Sequence, residues 1–177
     1  MKLPYALFVA IFAATPCAQA QDFDKFPKLK SGLWEMSTTS DRANAKDKGA
    51  QVSTLCLDES VQKQMMEFSQ GMMRGMCSKH ELKMSGSTVT GDSICKFGDS
   101  TMTSKSVMKF NGDTSYRTEA RSTYDPPLMG MTQSNTIIEA KHVGACPAGM
   151  QPGDLKTPSG AIVNIKQLSE RAPPKAR

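Results

Sequence analysis

Between Cys77 and His142 the chain repeats one pattern: short runs of alternating apolar and polar side chains, cut off by glycine, proline or asparagine. A period of two belongs to half-buried strands, and strands joined by short turns pair antiparallel with their neighbours. The pattern places strands near 78–84, 88–97, 101–110, 115–123 and 132–142. Asn111-Gly112 marks a hairpin turn, and Pro126-Pro127 followed by Gly130 predicts a break in the next connection. Upstream, Gly32-Leu33-Trp34-Glu35-Met36 opens a strand, Ser40 to Gly49 forms a hydrophilic loop, and Val52 to Leu57 supplies a second strand. Serine and threonine recur throughout, as suits the solvated face of a sheet. The expected fold is mainly β (a β-rich α+β class): an antiparallel meander of about seven strands, forming a curved sheet or incomplete barrel.

One helix interrupts this pattern, over 58–74. Asp58 offers an N-cap and Glu59 an acid in the first turn, where the helix dipole favours it. Val61, Met65, Phe68 and Met72 then follow at helical spacing and form one apolar stripe. That stripe is expected to face the sheet, leaving Met66 and Met73 accessible. Gly71 weakens the helix and Gly75 ends it.

The compartment follows from the N-terminus. Lys2 precedes an apolar run from Leu3 to Ala14, and Ala18-Gln19-Ala20 ends the segment. A charged start, an apolar stretch too short to span a bilayer and a small-x-small site predict a signal peptide at 1–20, hence a periplasmic or secreted protein. Residues 21–31 are a polar lead-in, 32–146 the domain proper, and 147–177 a basic tail rich in proline and glycine.

Removing the signal takes Cys17 with it and leaves Cys56, Cys77, Cys95 and Cys146. An even count in an oxidising compartment implies two disulfides, and spacings of 21, 18 and 51 residues do not suit zinc. A two-residue turn at Gly86-Ser87 pairs Met84 with Val89, which gives Cys77 the wrong parity to meet Cys95. Cys56–Cys77 and Cys95–Cys146 are the expected bridges on that register. A three-residue turn centred on Gly86 would instead place Cys77 opposite Cys95.

Charge argues against a nucleic-acid partner. With Lys2 gone, 21 basic against 17 acidic side chains leave +4. Residues 147–177 hold +3 of that, so the body is nearly neutral and has no phosphate-reading face. No other apolar run approaches membrane-spanning length, so no transmembrane segment is expected after cleavage. The tail is expected to be disordered or loosely docked, and its removal from residue 150 onward to shift the melting temperature by less than about 3 °C.

Gly32-Leu33-Trp34-Glu35, Cys56-Leu57, Cys77, Ser85-Gly86 between two strands, Cys95 and Gly144-x-Cys146 occur here in that order. Together they resemble a family of exported bacterial proteins known as domain of unknown function 3617, over about residues 31–146. The resemblance implies a single secreted or periplasmic domain. It brings no activity, cofactor or catalytic residue. The Met-rich stretch 65–76 and the basic tail depart from the family's pattern.

Three groups of residues bear on chemistry. Gly91-Asp92-Ser93-Ile94 resembles the nucleophile block of GDS-type esterases, but a hydrolase built on Ser93 needs a base, and only His80 and His142 are present. Met65, Met66, Met72, Met73 and Met76, with His80 beyond, supply soft ligands suited to Cu(I) or Ag(I), or else a pliable core. Trp34, the only tryptophan, reads as a core anchor. Neither a phosphate-cradling loop nor a paired-carboxylate context occurs, so no cofactor and no enzyme activity are expected. The expectation is a non-catalytic, exported binding or envelope-associated module for a small apolar ligand. Strand parity names Trp34, Leu82, Met84, Val89, Met108 and Tyr116 as the walls of any pocket.

Overall fold

The computed structural model describes residues 26–41 and 49–170; the segment 1–20 read as a signal, most of the lead-in and most of the hydrophilic loop lie outside the described residues. Nine strands form one antiparallel sheet that does not close. They are β1 (Gly32–Ser40), β2 (Gln51–Leu57), β3 (Cys77–Ser85), β4 (Thr88–Phe97), β5 (Ser100–Asn111), β6 (Ser115–Leu128), β7 (Met131–Gly144), β8 (Asp154–Lys156) and β9 (Ile162–Asn164). Helix α1 (Glu59–Met76) joins β2 to β3, and α2 (Ile165–Glu170) ends the described chain. The lateral order is β3-β4-β5-β6-β7-β1-β2-β8-β9. The five strands of the meander therefore come first, and β7 then folds back onto β1.

This order separates β2 from β3 by six lateral steps, about 29 Å in a flat sheet at the usual interstrand spacing. Yet Leu55 and Leu57 of β2 and Leu82 of β3 border the same cleft, so the sheet curls strongly around α1. The helix crosses the concave face from the end of one strand to the start of the other. Asp58 caps it as expected: its carboxylate accepts the Val61 N–H at 2.8 Å and the Ser60 hydroxyl at 2.7 Å. The helix continues through Gly71 and Gly75 to Met76.

The helix is rolled relative to its apolar stripe. Val61 is wholly buried, but Met65, Phe68 and Met72 are each more than two-fifths exposed, while Met66 and Met73 are half-buried. The expectation is reversed for Met72 and Met73, whereas Met65 and Met66 both border the cleft under the helix. Gln62 explains the roll: its amide donates to the Pro27 carbonyl at 2.8 Å and accepts from the Leu29 N–H at 3.0 Å. A polar side chain thereby fixes the face of the helix turned toward the lead-in.

The core is small. Trp34, Leu55, Leu57, Val61 and Ala140 form its buried centre, with Leu29, Met36, Tyr116, Leu155 and Ile165 packed against it. Two disulfides reinforce it, and their pairing corrects the expected one. Cys56 is joined to Cys146, and Cys77 to Cys95. The Gly86-Ser87 turn does pair Met84 with Val89, but a bulge between Cys77 and Lys79 shifts the register by one residue. That single extra residue restores the parity that brings Cys77 opposite Cys95.

Two further corrections concern prolines. β6 runs past Pro126-Pro127 to Leu128, because the β6–β7 ladder is interrupted between Thr123 and Leu128, where a missing N–H costs nothing. The freed Pro126 carbonyl accepts the Ser100 hydroxyl at 2.8 Å. The described residues of the tail, 148–170, are not loose either. β8 pairs with β2, β9 pairs with β8, and the Gly153 N–H donates to the Cys56 carbonyl at 2.8 Å. Proline and glycine in this segment shape turns that return the chain to the sheet.

Candidate functional site

Alternation along each strand sends one set of side chains into the hollow under α1. Where β1, β2, β5 and β6 contribute large residues, a cleft of about 380 Å³ opens between sheet, helix and the lead-in at Phe26 to Leu29. Its floor is Trp34, Met36, Leu55, Leu57, Leu82, Met108, Phe110 and Tyr116. Gln62, Met65, Met66, Ser69 and Gln70 of the helix form its roof, and His80 stands at its β3 side. Of the residues assigned to a pocket from strand parity, Trp34, Leu82, Met108 and Tyr116 line it. Met84 and Val89 share that face and the Met108 row, with Val89 buried directly across from Met108, but neither lines the cleft.

Trp34 is fixed in the floor from several sides. Its indole N–H donates to the Lys30 carbonyl at 2.8 Å, and its ring lies 5.9 Å from Tyr116 and 6.0 Å, edge-on, from His142. Phe110 lies tilted beside Tyr116, with ring centroids 5.8 Å apart. Such aromatic contacts hold the rings in place. The Trp34 N–H and the Gln62 amide are both committed to backbone. Among the described residues, the side chains of Ser69, Gln70, His80 and Tyr116 have no hydrogen-bond partner, and they are the cleft's available polar groups.

None of the lining side chains carries a fixed charge. Burial holds the His80 imidazole below its ordinary value and pushes the Tyr116 phenol up, so both favour their neutral forms at neutral pH. The outer face of the sheet is the opposite. There Arg117 bridges Glu119 and Glu139, and Lys141 pairs with Glu35 at 2.9 Å. Curvature thus sorts charge to the convex side and neutral groups to the concave one.

The other candidate chemistries are placed as follows. Ser93 stands directly across the ladder from His80, a juxtaposition that spacing alone did not reveal. Among the described residues they share no hydrogen bond, and no carboxylate orients the imidazole; Glu81 and Asp92 point to the other face by alternation. His142 bonds instead to the Ser31 carbonyl at 3.1 Å. The methionines do not converge. Met65 and Met66 border the cleft, Met72 faces outward, Met73 lies with its sulfur 3.4 Å from Cys77, and half-buried Met76 ends the helix. No group of three or more His, Cys, Asp or Glu side chains suited to a metal occurs among the described residues.

A strongly curled, open antiparallel sheet with a helix across its hollow and a neutral, mostly apolar cleft defines the class of this protein. The family model for proteins of unknown function DUF3617 matches residues 29–146, about two thirds of the chain. The chain belongs to that family. The match ends at Cys146, before the segment that adds β8 and β9 to the sheet. No curated protein gives a significant match. No helix among the described residues is long and apolar enough to cross a membrane.

Proposed function

We propose that this protein is an exported, non-catalytic binding module that holds a small apolar molecule between α1 and the concave sheet. The observation that carries the reading is the cleft itself: an aromatic and aliphatic floor, a methionine-bearing roof and no fixed charge. Ligand sites of this kind are concave, largely apolar and furnished with a few polar groups. Methionines on the roof can repack around differently shaped ligands, because the thioether chain is unbranched and pliable. The signal segment and the two disulfides support assignment to an oxidising compartment outside the cytoplasm. Titration of the oxidised protein with a neutral apolar dye such as N-phenyl-1-naphthylamine tests the reading. Saturable uptake that is lost on Met108→Lys supports it; no uptake by the wild type overturns it.

One observation favours a second reading. Met65, Met66 and His80 border the same cleft, and thioether and imidazole ligands together suit Cu(I) or Ag(I). Competition titration of Ag(I) against the wild type and a Met65→Leu/Met66→Leu variant decides it. Equal, weak binding by both removes the metal.

A further inference from the structure

The concave face continues past the cleft, and its chemistry changes along the strands. The row that begins at His80 runs across the ladder through Ser93, Ser104, Ser122 and Ser134, one serine from each of four consecutive strands. The adjoining row starts with Leu82 and Gly91, and a side chain at Gly91 would press on the Ser106 hydroxyl at 2.6 Å. Small side chains therefore keep this stretch of the hollow shallow-walled, where large ones fill it nearer Trp34. Ser122 donates to Ser104 at 3.0 Å, and Ser134 pairs with Tyr124 at 3.0 Å. Ser93 has no hydrogen-bond partner among the described residues and is half-buried beside His80.

We infer that His80, Ser93 and Ser104 form a polar subsite for the uncharged headgroup of an amphiphile whose apolar tail occupies the cleft. This rests on the cleft reading and extends it to the ligand's chemistry. A headgroup bearing hydroxyl or amide groups finds donors and acceptors in the serine row. A carboxylate, phosphate or ammonium would be taken out of water with no opposite charge facing it, which is the costly case. Neutral His80, at the junction of apolar floor and hydroxyl row, supplies one donor and one acceptor.

The test uses the oxidised mature protein and displacement of N-phenyl-1-naphthylamine by ligands sharing one tail: 1-monolauroylglycerol, laurate and dodecylammonium. Monolauroylglycerol is expected to displace the dye at a concentration at least about tenfold below either charged analogue. A Ser93→Val/Ser104→Val variant is expected to bind the dye unchanged and to lose most of that preference; Ser93→Ala/Ser104→Ala gives the same readout with less bulk. Charged and neutral ligands of equal strength on the wild type would overturn the subsite while leaving the cleft intact. Preference retained in both variants would also overturn it. Failure of the dye to bind at all would remove the cleft, and the subsite with it.

Discussion

Cys77 stands opposite Cys95 because one extra residue, accommodated in a bulge before Lys79, changes which face Cys77 occupies. The bridge therefore sits at the helix–strand junction, where α1 passes into β3. Cys56 lies on the other side of the helix, two residues before the Asp58 cap, and is bonded to Cys146. Both ends of α1 are thus anchored by sulfur.

Loop length ranks the two bridges. Cys56–Cys146 closes a separation of 90 residues and Cys77–Cys95 one of 18. The chain-entropy estimate gives about 4.6 and about 3 kcal/mol respectively. Cys56→Ser/Cys146→Ser is expected to lower the melting temperature by about 10–15 °C, and Cys77→Ser/Cys95→Ser by less. Thermal unfolding followed by circular dichroism measures both; the reverse order would refute the ranking. Peptide mapping under non-reducing conditions checks the connectivity.

Removing residues 150–177 is expected to be costly. The deletion strips β8 from the edge of β2 and takes away Leu155 and Ile165, which pack on the core. A loss of at least about 3 kcal/mol follows from two aliphatic side chains alone, or roughly 6–12 °C in melting temperature. A change below about 3 °C would mean that the added strands contribute nothing.

Trp34 is the single tryptophan, is 2% exposed and lies in the cleft floor, so its emission reports on that site alone. Folded protein should emit at short wavelength and shift red on unfolding. A bromine-bearing apolar ligand should quench the emission on binding. Trp34→Ala is expected to cost about 3–5 kcal/mol of stability; quenching absent despite dye uptake would place the ligand elsewhere.

His80 predicts an acid-sensitive fold. Burial lowers its folded-state value from 6.5, so the unfolded chain takes up the proton first as pH falls. Stability from this group is therefore full above about pH 6.5 and declines as the pH drops through the folded-state value. His80→Gln should flatten this part of the stability–pH curve. NMR titration of the imidazole measures the midpoint directly, and one at or above 6.5 would contradict the burial argument.

Thr118 carries the one buried side-chain oxygen or nitrogen without a hydrogen-bond partner among the described residues. Thr118→Val keeps the branched shape and removes the unsatisfied hydroxyl. The change is expected to stabilise the protein by about 1 kcal/mol, read from urea unfolding. Destabilisation beyond that size would reveal a partner for the hydroxyl.

Most of the sheet was legible because period-two alternation and turn residues are local signals. Gly86-Ser87 and Asn111-Gly112 both mark turns where expected, and Asp58 caps α1. What sequence could not show depended on distant partners. The bulge before Lys79 has no signature in residue type, and it alone decided the cysteine pairing. The roll of α1 depended on Gln62 finding the backbone of Pro27 and Leu29, which the periodicity of Val61, Met65, Phe68 and Met72 does not encode. Leu155 and Ile162 to Ile165 looked like a tail because three-residue strands carry too little alternation to register. The cleft was partly legible through Trp34, Leu82, Met108 and Tyr116, while the contribution of Phe110, Gln62 and the lead-in required the fold.

A cover hinged at one end can swing clear of what it covers; one riveted at both ends can only bow or turn about its own length. With a bridge beside each end of α1, any widening of the hollow has to come from flexing of that crossbar and from side-chain rearrangement along it. Reduction would unfasten the crossbar at either rivet.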